Sequence, residues 1–201
     1  MRIPLFPLNA VLFPGGRLPL KIFEQRYMDM AKVCLKDGSP FGVVLIARGT
    51  EVAQPGQPAV ETHEVGTLAH IADWDMPHLG VLNITAQGGT RFRILHRWVE
   101  DNGLLRADVE AIEDAPTTPV PGEHARLVPL LRAIVDQMAE NGGGPAQPHR
   151  FFDAGWLGMR YAEVLPIPAL AKQKLLEVED SLDRLEIVFR FLDSKKLLPD
   201  V

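Results

Sequence analysis

The sequence predicts an α+β chain: a β-rich first domain over residues 1–114, a proline-rich linker at 115–122 and a small α-helical bundle over 123–201. Three features predict it. Short apolar runs at period 2, separated by turn residues, fill the first half at the spacing of antiparallel barrels and sandwiches. Pro116, Pro119, Pro121 and Gly122 then crowd the segment EDAPTTPVPG, a composition that stiffens or breaks the chain. Beyond it apolar residues recur every three to four positions, the period of an amphipathic helix.

Residues 3–8 and 11–13 are short and punctuated by proline, as edge strands are. Residues 41–48 (FGVVLIAR) form a compact β-branched run and predict a buried strand, with further strands at 65–72, 79–87, 90–99 and 104–112. In LNITAQ, Leu82, Ile84 and Ala86 share one face and Asn83, Thr85 and Gln87 the other. Gly88-Gly89 follows and predicts a tight hairpin turn. In TRFRILHRW the same alternation groups Phe92, Ile94, His96 and Trp98 on one face, opposite Arg91, Arg93, Leu95 and Arg97. One helix interrupts the strands, from about Glu24 to Lys36. Phe23, Tyr27, Met30, Ala31 and Cys34 fall at helical spacing there, and Asp37-Gly38 supplies a stop. The polar, turn-rich residues 50–64 predict an exposed, mobile loop.

In the second half, Leu127, Leu130, Leu131, Ile134, Val135 and Met138 make one apolar face that ends at Asn141 and three glycines. Pro129 must then sit in a first turn or kink the helix. Asp153 predicts the cap of a second helix carrying Trp156, Leu157, Met159 and Val164. Pro168 suits the first turn of a third, and Asp180 caps a last one with Leu182, Leu185, Val188, Phe189 and Leu192 inward.

Composition narrows the function. The 201 residues are 46% hydrophobic and 23% charged, a globular balance, and proline or charge interrupts every apolar run before membrane-spanning length. The apolar N-terminus lacks a small-residue cleavage site, so no signal peptide is expected. The one cysteine, Cys34, builds neither a disulfide nor a cysteine-rich zinc site and predicts a reducing, cytoplasmic setting. Net charge is −5 and both halves are acidic, which speaks against a general nucleic-acid binder.

Several segments carry a resemblance. Residues 5–27 (LFPLNAVLFPGGRLPLKIFEQRY) resemble the start of the N-terminal, substrate-binding domain of Lon-type ATP-dependent proteases. Residues 41–44 (FGVV), 65–71 (VGTLAHI) and 89–95 (GTRFRIL) follow that family's strands in order, and 172–177 (KQKLLE) with 184–186 (RLE) resemble its closing helices. Residues 156–162 (WLGMRYA) depart from its more acidic middle-helix pattern. The resemblance implies a PUA-like pseudo-barrel joined to a helical bundle. It also implies a non-catalytic role in recognising unfolded or client polypeptides, with an ATP-dependent protease as a further partner. The catalytic parts of such proteases have no counterpart in these residues, and a stand-alone module is expected. No Gly-Lys dipeptide exists to build a P-loop, and none of Ser39, Ser181 and Ser194 has a nucleophile's context. Ser194-Lys195 are neighbours at a helix end, where side chains diverge.

The polypeptide surface is expected around Phe6, Leu12, Phe13, Pro14 and Leu18, where proline keeps strand edges open; the competing expectation is that Phe6 and Phe13 fill the core. An alternative, RNA binding, would use Arg91, Arg93 and Arg97, although alternating strands ordinarily show charge to solvent. A hydrolase with an unrecognised site is the weakest reading, since no nucleophile and base can be placed by spacing. No metal or other cofactor is expected: His63, His70, His78, Asp73 and Asp75 match no ligand spacing and suit a polar turn. Cys34 is expected to be a buried inert thiol, His96 a core or boundary residue, and Arg26 a structural partner of a carboxylate.

Overall fold

A computed structural model describes residues 1–52, 60–113 and 116–198. The chain divides into two compact units, Met1–Glu113 and Asp114–Val201. Within the first run β1 (Arg2–Leu8), β2 (Arg17–Ile22), α1 (Gln25–Asp37), β3 (Phe41–Arg48), β4 (Glu61–His78), β5 (Val81–Val99) and β6 (Leu105–Ile112). The sheet order is β2-β5-β4-β3-β1-β6, and β6 also pairs with β5, which closes the sheet on itself. Only β1 and β3 are parallel, with α1 on the connection before β3. Closure leaves β5, β4, β3, β1 and β6 without lateral edges where they pair around the barrel.

Two apolar cores result among the described residues of this unit. Inside the barrel lie Ile3, Leu5, Val44, Leu68, Phe92, Ile94, Leu105, Ala107 and Val109. Gly42 and Gly66 make room for them: a Cβ on either would stand 2.7 Å from the Phe92 ring. The second core is built outside the barrel by Tyr27, Met30, Ala31 and Cys34 of α1 against Phe6, Phe41, Val43, Leu82, Ile84 and Ala86. Helix α1 stops at Gly38, whose φ of 63° is the left-handed conformation glycine adopts without strain. Phe23 precedes the helix and is exposed, contrary to its expected place on the apolar face.

The largest departure from expectation lies between residues 65 and 99. Local pattern suggested three strands with turns at HIADWDMPH and at Gly88-Gly89, yet β4 and β5 are two long strands joined at Leu79-Gly80. Gly88-Gly89 is strand interior. Glycine is there because the chain segment around Phe13 lies against the backbone, a close approach only a missing side chain permits. Of the predicted loop, residues 61–64 belong to β4 and residues 53–59 lie outside the described residues.

The second unit holds α2 (Leu127–Glu140), α3 (Ala154–Val164), α4 (Ala169–Glu177) and α5 (Ser181–Ser194), after a 3-10 turn at Gly122–His124. Asp153 caps α3 by accepting the Gly155 N–H at 3.1 Å, and Asp180 caps α5 by accepting those of Leu182 and Asp183. The expected linker is engaged here: Thr118 accepts the Ala154 N–H and the Val120 N–H donates to Phe152. Residues 114 and 115 lie outside the described residues. WLGMRYA forms the heart of α3, buried almost all round, with the Tyr161 hydroxyl donating to the Leu127 carbonyl at 2.6 Å.

One hydrogen-bonded pair in this unit sets a pH dependence. The buried His124 ring lies 2.7 Å from Glu186 on α5 and edge-on to Phe189. Hydrogen bonds from His124 and then Arg190 hold the Glu186 carboxyl below its ordinary value. A depressed carboxyl contributes stability above its unfolded-state pKa and loses it as pH falls through the folded value. Thermal unfolding from pH 7 downward is therefore expected to show a smaller drop in Tm for Glu186→Gln than for the parent. An identical drop would remove Glu186 from the acid response.

Candidate functional site

Three of the five residues expected to meet polypeptide are core residues. Phe6, Leu12 and Phe13 are buried, Phe13 to 1% exposure, and Phe6 stacks on Tyr27 with ring centroids 4.1 Å apart. The proline-bearing segment after β1 folds back: Thr67 Oγ1 donates to the Leu12 carbonyl at 2.6 Å, and Gly15 and Gly16 exchange backbone bonds with Gly88. Pro14 and Leu18 are half-buried, and Leu18 packs on the second core. A substitution at Phe13 thus reports on folding.

The expected basic row also dissolves. Arg91 is 2% exposed, opposite Thr67 and Ile112, while Arg93 is exposed and Arg97 half-buried. Arg97 donates to the carbonyl and hydroxyl of Thr62 and pairs with Glu64. A register shift between Ile94 and His96 breaks the alternation, which also turns His96 outward to stack beside Trp98. Arg26 does pair with a carboxylate, lying 2.9 Å from Glu24 while donating to the Gly103 carbonyl and covering the Tyr27 ring. Cys34 is buried, and burial pushes its thiol up, away from the reactive thiolate. Among the described residues no group of His, Cys, Asp or Glu is arranged to hold a metal ion. His63 and His70 are seven strand residues apart, about 23 Å at the usual rise.

The open part of the sheet is an arm, one face of which packs in the second core through Leu82, Ile84 and Ala86. Beyond Ala69, β4 leaves β3 and continues with the first half of β5, joined on the far side by β2. On one face of this three-stranded arm the register sets Pro19, Thr85 and Asp73 in one row and Lys21, Asn83 and Asp75 in the next. These side chains line a shallow groove of about 280 Å³. At the free end, Trp74 (53% exposed), Met76, Leu79 (98% exposed) and Phe23 present apolar surface to water. The arm has two lateral edges, β2 and the outer side of residues 70–78, and neither pairs with another strand among the described residues. Pro19 interrupts the β2 edge. Trp and Met inside the polar run HIADWDMPHLG were the sequence signal for this surface; large apolar residues in a polar segment mark contact sites when they stay exposed.

Other cavities lie among the described residues. A cleft of about 370 Å³ beside α1 includes Arg26, Arg106, Asp29, Glu100 and Cys34. Its arginines are matched by carboxylates, Arg106 by Glu100 at 2.7 Å. In the second unit, an almost wholly apolar groove of about 440 Å³ runs between α4 and α5, lined by Leu165, Ile167, Leu175, Ile187, Val188 and Phe191 among others.

Comparison with known proteins places this architecture. Residues 2–194 match the model of the ATP-dependent protease La (LON) substrate-binding domain. The chain is 29% identical over 202 residues to the Lon protease of Anaeromyxobacter dehalogenans (strain 2CP-C), covering 96% of this chain and 23% of that protein. It is 30% identical to Lon protease 2 of Myxococcus xanthus, covering 96% of this chain and 24% of the relative. The chain thus spans about a quarter of the length of these curated relatives. Among solved structures, a Lon N-terminal domain protein from Xanthomonas campestris superposes with a TM-score of 0.74 at 33% identity, covering 94% of this chain and 98% of that one. The N-terminal domain of a Mycobacterium avium complex Lon protease shares the fold alone, at a TM-score of 0.62 and 15% identity over 96% of this chain and 98% of that one.

Proposed function

The chain belongs to the family of Lon protease substrate-binding domains, and from that premise we propose that it captures non-native client polypeptides through the apolar end of its β4–β5 arm. The observation that carries this reading is the exposure of Trp74, Met76 and Leu79 on the β4–β5 hairpin, with Phe23 exposed just after β2. Apolar side chains held in water by a rigid scaffold gain when an unfolded chain covers them, and such contacts suit many sequences. The task is binding, with no chemical step assigned to any residue. Hand-over to an ATP-dependent protease and residence in the reducing cytoplasm, where Cys34 needs no partner, complete the proposal.

The test is binding of a reduced, carboxymethylated unfolded protein, followed by fluorescence anisotropy. Joint replacement of Trp74, Met76 and Leu79 by serine is expected to weaken binding about tenfold or more with little change in Tm, because all three are exposed. Parental affinity in the folded triple variant would remove the arm from recognition.

A further inference from the structure

The arm also shows how a client would be held. Resting on the reading above, we infer that the outer edge of β4, residues 70–76, takes an extended client segment as an added strand, and selects one whose apolar residues alternate with lysine or arginine.

The two edges of the arm differ. Edge strands ordinarily carry some device against pairing. On β2 it is Pro19, which lacks an N–H in the middle of six residues. The β4 edge carries no proline from His70 through Met76, and every residue from Ala72 to His78 is exposed. The Trp74 N–H there is held by its neighbour's carboxylate, Asp73 Oδ1 at 2.9 Å. An incoming carbonyl can replace that side-chain acceptor and release the carboxylate to a cation.

The faces of the edge define the occupant. In a strand laid beside β4, successive side chains point to opposite faces of the sheet. One set meets Trp74 and Met76, which are apolar and exposed. The other meets Asp73 and Asp75, which share the opposite face with Thr85 and Asn83. The nearest lysine on that face, Lys21, stands on the far strand beyond Asn83, and neither aspartate has an ion pair among the described residues. An alternating apolar and basic segment satisfies both faces; an alternating apolar and acidic one sets like charges side by side.

The probes are ten-residue peptides alternating valine with lysine or valine with glutamate, plus two N-methylated forms of the valine–lysine peptide. One carries methyl groups on the odd residues, the other on the even residues, with identical side chains. Binding to the full 201-residue chain is read by anisotropy beside the carboxymethylated unfolded protein. An added strand turns alternate N–H groups toward the edge, so one methylated form is expected to lose about tenfold or more in affinity while the other keeps it. Lysine is expected to be preferred over glutamate by about tenfold, falling to about twofold in Asp73→Asn with Asp75→Asn. Equal binding of the two methylated forms, or a lysine preference unchanged in the double variant, overturns the inference. If the unfolded protein still binds through Trp74, Met76 and Leu79 in that case, the proposed function stands without it. If neither peptides nor unfolded protein bind, both fall.

Discussion

Gly88→Ala is expected to destabilise the first unit by about 3 kcal/mol or more, a large share of a domain's usual margin. A Cβ at position 88 would stand 2.2 Å from the Phe13 carbonyl oxygen and 3.0 Å from its carbon, both backbone atoms with no rotamer to yield. Relief requires the segment to lift from β5. That breaks the bonds from the Gly15 N–H to Gly88 and from the Gly88 N–H to Gly16, 2.8 and 2.9 Å long. It also withdraws Leu12 and Phe13 from their buried sites, each worth roughly 2 kcal/mol. The neighbouring glycine is the control. A Cβ on Gly89 would meet nothing nearer than 3.5 Å, so Gly89→Ala is expected to change stability by less than about 1 kcal/mol. Urea titration of both variants decides the matter: a midpoint lowered by about 1 to 2 M for position 88 alone is the expected outcome. Equal midpoints would mean that the segment around Phe13 does not press on β5.

Arg184→Ala carries the second large effect, in the helical unit. Arg184 is 2% exposed, and its Nε donates to the Leu175 carbonyl at 2.9 Å while a terminal nitrogen donates to Val178. Those two carbonyls belong to the end of α4, where a helix leaves acceptors without internal partners. One guanidinium therefore closes α4 from α5. Its methylenes also pack on Gly158, where an added Cβ would lie 3.4 Å from Arg184 Cδ. Truncation leaves buried acceptors unmatched and a hole between α3 and α5, a loss of about 3 kcal/mol. Arg190→Ala on the same helix removes a 78% exposed side chain and is expected to cost less than about 1 kcal/mol. Circular dichroism at 222 nm during heating separates the two. A Tm for Arg184→Ala within a degree or two of the Arg190 variant would show that α4 closes without it.

These residues illustrate which parts of the molecule a local pattern can reveal. Asp153 and Asp180 cap the helices expected of them, and Gly38 stops α1, because a cap is decided by residues within one turn. The α+β class and the family were legible for a related reason: periodicity and short motifs are themselves local. The arm was not. Gly88-Gly89 has the composition of a hairpin turn, and only the approach of a segment more than seventy residues earlier makes it strand interior. The groups expected to bind suffered likewise. Phe13 and Trp74 are both aromatic residues beside proline or aspartate, yet one is buried and the other stands in water.

The sequence by itself determined the α+β class, the caps of α3 and α5, the absence of a P-loop within these residues and membership of the Lon substrate-binding family. Tertiary structure alone decided which apolar and which charged side chains face outward. The physical reason is that alternation states only that neighbours point to opposite faces. What covers each face depends on distant strands, and a single register shift, such as the one between Ile94 and His96, exchanges the two. Barrel closure covered Arg91 and Phe92 alike, and the open edge of β4 left Trp74, Met76 and Asp75 in solvent for a partner to meet.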